Sequence, residues 1–141
     1  MIIKQLSVFL ENKSGRLSDV ASILGENQIN MSAFSVADSS DFGILRAIVS
    51  DPQKALLVLK AANFSASLTE VVCISVPNEP GAMGKALNVL KEEQVQIEYL
   101  YAFSMGDKAS VVIRPTQIEF CIEMLQKHKL ELLRASSLYE I

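Results

Sequence analysis

Hydrophobic residues recur along this chain with two spacings, and the same succession of spacings occurs twice. In the first half, four short runs rich in β-branched and apolar residues are typical of strands. Apolar residues at i, i+3, i+4 and i+7, from Leu17 to Leu24, predict an amphipathic helix, and a second stripe runs from Ala55 to Ala62. The predicted order is βαββαβ, with strands at residues 2–10, 29–36, 44–49 and 65–71.

The second half repeats the first at a spacing of 66 residues, without an insertion. Asn12 aligns with Asn78 and Gly15 with Gly81, and seven such pairs are identical. The repeat is too long for a solenoid unit and matches the size of a small domain. It predicts two domains, at residues 1–70 and 71–141, and a last strand at residues 130–138.

The order βαββαβ, present twice, indicates an α+β protein of two ferredoxin-like units. Each unit would have an antiparallel four-stranded sheet with both helices on one face. No glycine or proline interrupts the chain near Glu70, where the halves join. We therefore expect the two antiparallel sheets to lie side by side in a fixed relation, which would hide strand edges that otherwise invite aggregation.

The second helix of each half has a start signal at equivalent positions. Ser50 with Gln53, and Thr116 with Glu119, have the spacing of capping boxes. Pro52 falls in the first helical turn, where its missing N–H costs little. The buried stripe of the last helix is predicted at Cys121, Ile122, Leu125 and His128.

The composition is that of a globular chain, since 50% of its 141 residues are hydrophobic and it has no low-complexity tract. A net charge of −3, with scattered lysines and arginines, argues against a nucleic-acid partner. The sequence shows no signal peptide and no run near the ~20 apolar residues of a membrane span. Because Cys73 and Cys121 are expected to be buried thiols, we predict a cytoplasmic protein with no membrane partner.

Residue patterns that would indicate catalysis or metal binding are sparse. His128 has no evident acid or nucleophile partner in the sequence, and the two cysteines lack metal-ligand spacing. The sequence also has no serine elbow, no phosphate loop and no cluster of metal ligands. It therefore predicts a protein that is not an enzyme and has no metal and no cofactor.

Two short segments in each half resemble those of ACT domains. ENKSGRL (11–17) and PNEPGAM (77–83) resemble the first turn of these domains, and QINM (28–31) and VQIEY (95–99) resemble the start of their second strand. ACT domains are small ferredoxin-like modules that bind amino acids and related metabolites and regulate metabolic enzymes. The resemblance covers nearly the whole chain. It implies a tandem regulatory or sensor protein that binds an amino acid and could partner a metabolic enzyme.

The first turn of each half has groups suited to an amino acid. Gly15 or Gly81 would let the backbone pass close to another chain or a ligand. The helix that follows points unpaired N–H groups at that place, which favours a carboxylate. Asn12 and Asn78 offer both a donor and an acceptor there. The alternative is that asparagine and glycine only form the turn, as they commonly do.

The resemblance also implies a position for the ligand. In ACT-containing phosphoglycerate dehydrogenases, an effector amino acid binds across the seam between two adjacent units. By this resemblance Asn12 would pair with Gln96, and Asn78 with Asn30, across the seam of the two halves. The candidate ligand-binding residues are Asn12, Lys13, Ser14, Gly15, Arg16, Leu17, Asn30, Met31, Asn78, Glu79, Pro80, Gly81, Ala82, Met83, Gln96, Ile97 and Tyr99.

The halves differ from that pattern and from each other, so one site or two unequal sites remain open. Leu10 and Val76 replace a polar residue of those enzymes, which makes serine a poor candidate ligand. Lys13 would favour a ligand carboxylate, whereas Glu79 would oppose one. Tyr99 could stack on a planar ligand group, but a ring buried in the core is the alternative.

Three other functions remain open from the sequence. A ferredoxin-like RNA-binding module would need basic and aromatic residues on its central strands, and the run SAFSVAD (32–38) lacks them. A small ferredoxin-like enzyme would have to start from Tyr99 or Tyr101 with Glu98. A regulatory interaction subunit that binds no ligand would need none of the site residues.

The second strand of the second half predicts a homodimer. Both of its alternating sets contain apolar side chains, while the helices can cover only one face of the sheet. The other face is therefore predicted to meet a second copy, unless it is only mildly apolar. The two sets are Ile97, Tyr99, Tyr101 and Phe103 on one face, and Leu100 and Ala102 on the other.

Overall fold

The computed structural model describes residues 1–11, 14–38 and 42–139. These residues form two compact units. The first unit contains Lys4–Thr69 and the C-terminal residues from Ser136 onward. The second unit contains Met1–Ile3 and Glu70–Ala135, so each unit includes a few residues from the far end of the chain.

The first unit has the predicted sequence of elements. They are β1 (Ile3–Glu11), α1 (Arg16–Glu26), β2 (Met31–Asp38), β3 (Phe42–Val49), α2 (Pro52–Ala61) and the first part of β4 (Ser65–Pro77). The strand order is β2-β3-β1-β4, and β3 pairs antiparallel with both neighbours, so that Val8 and Val36 both lie opposite Leu45. Strand β2 is therefore at an edge of this unit's sheet.

Alternation along β1 positions the core of the first unit, since every second side chain points to the same face. Both helices pack on that face, and their own buried residues recur with helical spacing. The core residues are Leu6, Val8, Leu10, Val20, Leu24, Ile29, Leu45, Ala47, Val49, Ala55, Leu59 and Phe64.

The second unit repeats this arrangement with the strand order β7-β4-β6-β5, where β4 contributes its second part. Its further elements are α3 (Ala82–Glu92), β5 (Ile97–Met105), β6 (Lys108–Pro115), α4 (Ile118–Lys127) and β7 (Glu131–Leu132). The short helix α5 (Ala135–Tyr139) follows, and its residues from Ser136 onward belong to the first unit. The buried core again lies between one sheet face and two helices. Its residues are Val72, Ile74, Val76, Ala82, Ala86, Leu90, Val111, Ile113, Cys121 and Leu125.

The repeat is exact in how the four long helices end. Each has a leucine in its last turn, and the backbone C=O of that leucine accepts a hydrogen bond from the N–H five residues later, at 2.9–3.0 Å. The residue before that donor has positive φ. This is the Schellman arrangement, here built on non-glycine residues. The leucines are Leu24, Leu59, Leu90 and Leu125, and the residues with φ of 57–67° are Gln28, Asn63, Gln94 and Lys129.

These elements confirm a two-unit ferredoxin-like fold of the α+β class. The domain limits 1–70 and 71–141, and the side-by-side placement of the two sheets, remain predictions. The turn predicted between the second and third strands includes residues 39–41, which lie outside the described residues.

The prediction of a last strand at residues 130–138 is wrong for most of that segment. Only Glu131 and Leu132 are in a strand, and Leu133 adds one bond from its N–H to the Cys73 carbonyl, at 2.8 Å. The chain then forms α5, in which Leu138 is fully buried in the first unit. A tertiary contact therefore overrides the local strand preference of the segment.

Neither predicted capping box forms, because each helix begins one residue later than the boxes require. Helix α2 is capped by Asp51, whose Oδ1 accepts from the Lys54 N–H at 3.1 Å. Ser50 instead accepts from the Asn30 N–H at 2.9 Å, which joins the end of β3 to the start of β2. Helix α4 begins after Gln117 with no side-chain cap. Pro52, predicted to lie in the first turn of α2, is its first residue.

The start of β5 also differs from the prediction, because its side chains do not alternate regularly between the two faces. The pairing with β6 shifts register between Ile97 and Tyr99, which indicates a bulge. Because of this shift, Ile97 and Leu100 both pack against the core of the second unit. Simple alternation had predicted Ile97 on the same face as Tyr99 and Tyr101. That prediction is wrong, because the bulge places Ile97 on the core face.

The sequence placed His128 both in the buried stripe and, because Lys127 and Lys129 flank it, at a solvated helix end, and only the second prediction is confirmed. His128 is the C-cap of α4 and is exposed, so it is not part of the buried stripe. Its Nε2 lies 2.9 Å from Oε1 of Glu93, which also accepts from Lys127 Nζ at 3.2 Å. These hydrogen bonds, first that of His128 and then that of Lys127, lower the pKa of Glu93. The imidazole thus has an acid partner, supplied by the end of α3.

Candidate ligand-binding site

The turn of the second unit, from Asn78 to Met83, joins β4 to α3. The Asn78 N–H donates to the Asp107 carbonyl at 2.8 Å, and Nδ2 donates to the Gly106 carbonyl at 3.2 Å. Asn78 therefore ties the turn to the hairpin between β5 and β6. The side-chain carbonyl oxygen is the atom of this residue that can accept from a ligand.

Gly81 and Gly15 occupy the left-handed region, with φ of 88° and 87°, directly before α3 and α1. A Cβ at either glycine would meet no other atom within 4 Å. Glycine is therefore required by the backbone conformation, which costs an L-residue about 1–3 kcal/mol. A close approach of another chain segment, the role expected from the sequence, is not seen among the described residues, and the space beside Gly81 is open.

The start of α3 is suited to a carboxylate. No side chain caps it, and its first turn has no acidic residue. The exposed Glu79, two residues before Gly81, opposes a carboxylate, and the Ala82 N–H already donates to the Glu79 carbonyl at 3.3 Å. The start of α1 differs because Asp19 lies in its first turn, 3.8 Å from the Arg16 guanidinium. A negative charge already present at α1 lowers the attraction of that helix start for a further anion.

The residues predicted at the opening of the second strand lie at the other end of the helix from the turn. Gln96 follows α3, whose 11 residues span about 16 Å. Within one unit, the turn and Gln96 therefore cannot contact the same small ligand. The Gln96 carbonyl accepts from the Thr116 N–H at 3.0 Å, as the Asn30 carbonyl does from the Ser50 N–H at 2.9 Å. A cavity of about 230 Å³ lies beside Gln96, lined by Gln94, Val95, Gln96, Thr116, Gln117 and Phe120.

In the first unit, the described candidate residues lie in different surroundings from those of the second unit. Ser14 and Leu17 are exposed, and the Arg16 guanidinium lies 5.0 Å from the centre of the Phe64 ring. Met31 packs against the core of the first unit. Two predicted site residues, Asn12 and Lys13, lie outside the described residues.

The structure adds a groove of about 370 Å³ in the second unit, between β4, α3 and the turn after α4. Of the predicted residues, Glu79, Pro80 and Ala82 line it. Lys85 and Lys129 also line it, and no motif in the sequence indicated either residue. A comparison of residues that differ in size between the two halves could have indicated this groove, since Arg16 aligns with Ala82 and Phe64 with Leu130.

Groups that could support catalysis are already engaged or buried. Glu98, the acid considered with Tyr99 and Tyr101, forms an ion pair with Arg114, 3.4 Å between Oε2 and Nε. Burial raises the pKa of Cys73 to about 12 and that of Cys121 to about 11, so both thiols stay protonated and unreactive near neutral pH. Among the described residues, no three histidine, cysteine or acidic side chains are grouped as metal ligands.

No helix in the described ranges is both long and apolar enough to cross a membrane.

Solved structures of similar proteins share the fold of this chain. A crystal structure of a protein from Bacteroides thetaiotaomicron is 52% identical, with a TM-score of 0.96, covering 100% of this chain and 98% of that one. The ligand-free regulatory subunit of aspartate kinase from Thermus thermophilus is 17% identical, with a TM-score of 0.65, covering 87% of this chain and 88% of that one. The corresponding subunit from Thermus flavus is 17% identical, with a TM-score of 0.61, covering 89% and 92%. No curated protein matches the chain.

The family assignment rests on the sequence over its full length. The family described as the ACT domain pair matches residues 1–141, which confirms the resemblance found in the two turns. The 17% identical aspartate kinase subunits share the fold. The chain therefore belongs to the ACT domain family, as a pair of ACT domains.

Proposed function

We propose that this protein is a regulatory module that binds a free amino acid and has no catalytic activity of its own. The observation that carries the proposal is the turn of the second unit, where the uncapped start of α3 adjoins open space beside Gly81. Unpaired N–H groups at a helix start favour a carboxylate, and the Asn78 carbonyl can accept from an ammonium group. Membership of the ACT domain family supports a regulatory role.

The position of this ligand relative to the first unit remains a prediction from the sequence. That prediction pairs Asn78 with Asn30, and Asn12 with Gln96, at the seam of the two halves. The distance between the turn and Gln96 along α3 supports it, since the two would have to belong to different sites. The cytoplasmic location and the metabolic-enzyme partner likewise remain predictions.

A melting-temperature screen against the common amino acids tests the proposal. A ligand at 100 times its dissociation constant adds about 2.7 kcal/mol of stability, which would raise the melting temperature. We expect Asn78→Ala to weaken binding of the active amino acid by about 0.5–1.5 kcal/mol, because the ligand loses one hydrogen bond at an exposed turn. The matched control is Asn88→Ala, on the exposed side of α3, which should leave the affinity unchanged.

Calorimetric titration at a temperature where both variants are folded separates binding from stability, since Asn78 also holds the hairpin. Equal affinities for Asn78→Ala and Asn88→Ala would show that the turn is not the site. A protein whose melting temperature no amino acid changes would instead be the ligand-free interaction subunit considered above.

The homodimer also remains a proposal, and exposed apolar side chains support it. Phe34 and Val36 lie on the edge strand β2 and are 55% and 44% exposed. We expect the protein to be dimeric by light scattering at tens of micromolar, and Phe34→Lys to shift it to monomer, because a charge there would be desolvated. Leu57→Lys, at a 69% exposed position of α2, is the control. A wild-type monomer at that concentration contradicts the proposal.

A further inference from the structure

The two units have equivalent grooves beside their first turns. Among the described residues, which leave out 12 and 13 in the first of these turns, only the groove of the second unit is open. In the first unit the cavity is about 100 Å³ and is lined by Phe9, Arg16 and Phe64, with the Arg16 guanidinium over the Phe64 ring. At the positions 66 residues later, the second unit has serine, alanine and leucine. Loss of these three large side chains leaves the groove of about 370 Å³.

The size of the open groove is that of a small-molecule site. Ligand pockets usually have volumes of about 300–1,000 Å³, and this groove lies within that range. Three other cavities among the described residues lie below it: about 230 Å³ beside Gln96, about 180 Å³ beside Ser7 and Ser67, and about 100 Å³ beside Arg16.

The floor and the rim of the groove differ in chemistry. Three floor residues, Val76, Ala82 and Ala86, are apolar and at most 8% exposed, and Leu130 is half-buried beside them. An apolar floor of this kind gains free energy when a hydrocarbon group covers it.

The rim carries two positive and two negative side chains, all exposed: Lys85, Lys129, Glu79 and Glu131. Their charges balance, which suits a zwitterion better than a polyanion. The groove also begins at Glu79 and Pro80, within the turn assigned above to the ligand's polar head.

We propose that the groove of the second unit holds the side chain of the bound amino acid, and that the ligand class is amino acids with an extended apolar side chain. This rests on the proposed function and makes it specific. In the part of the chain that the structure describes, the equivalent groove of the first unit is filled by Arg16 and Phe64, so we expect one such site per chain.

A linear series of ligands tests the proposal without any mutation. Calorimetric affinities are measured for alanine, 2-aminobutyrate, norvaline and norleucine, with serine and aspartate as polar comparisons. Each methylene that becomes buried contributes about 0.8 kcal/mol, which is a roughly fourfold gain in affinity. We expect the affinity to rise by about that factor at each step, with one ligand bound per chain.

A pair of substitutions tests the position. Ala82→Arg with Leu130→Phe transfers the filling side chains of the first unit to the second, and it should weaken norleucine binding about tenfold or more. Ala61→Arg, at an exposed position of α2, adds the same charge elsewhere and should not change the affinity. If the double variant does not fold, Leu130→Phe alone should still reduce the step from norvaline to norleucine.

The outcomes separate this proposal from the proposed function. Binding of a polar amino acid that depends on Asn78, together with a flat series and no effect of filling the groove, overturns the assignment of the groove alone. If no amino acid binds at all, both proposals are wrong. A rising series that the filled variant abolishes supports both.

Discussion

Replacing Leu90 by alanine is expected to lower the free energy of unfolding by about 2–5 kcal/mol. The Leu90 side chain is 1% exposed in the core of the second unit. The backbone C=O of Leu90 accepts the hydrogen bond from the Val95 N–H that ends α3. Alanine leaves a cavity in addition to removing buried apolar surface, so the cost exceeds the transfer free energy alone. Leu24, at the equivalent position of the first unit, is also 1% exposed and should show a loss of similar size.

Urea unfolding followed by circular dichroism measures both losses. Leu57→Ala is the control, because that side chain is 69% exposed and its removal should change stability by less than about 0.5 kcal/mol. If Leu90→Ala and Leu57→Ala have the same stability, the buried position assigned to Leu90 is wrong.

Replacing Leu138 by alanine is expected to cost about 2–5 kcal/mol as well, in a segment that the sequence predicted to be a strand. The five residues of α5 are too few for a stable isolated helix. Its order therefore depends on the packing of Leu138, which is fully buried in the first unit.

A smaller change nearby provides the comparison for this segment. The Tyr139 hydroxyl accepts from the Lys4 N–H at 2.8 Å. The same hydroxyl donates to the Lys4 carbonyl at 3.5 Å. Tyr139→Phe removes both of these exposed bonds, and we expect a loss of about 0.5–1.5 kcal/mol. A stability of Leu138→Ala equal to that of wild type would indicate that α5 does not pack in the first unit.

The sequence by itself determined the features that repeat locally. Alternation in β1 and helical spacing in α1 predicted which side chains would form the core, because a period of two or of 3.6 fixes the face that each residue occupies. The order βαββαβ and its duplication followed from these periods, and the turns around Gly15 and Gly81 identified the family.

Only the tertiary structure decided features that depend on residues distant in sequence. The segment around Leu138 is helical because a buried position in the first unit is available to that side chain. Ile97 lies on a different face from the expected one because a bulge shifts the register of β5. The acid partner of His128 is supplied by Glu93, at the end of another helix.

The groove of the second unit also depends on residues that are distant in sequence. Ala82 and Leu130 lie 48 residues apart in sequence (130 minus 82), and neither is unusual at its own position. Only packing brings them to one cavity, where their small volume, compared with Arg16 and Phe64, leaves space that a ligand can occupy. Local periodicity specifies the face of an element, but it does not specify which side chains of different elements meet or what volume they leave between them.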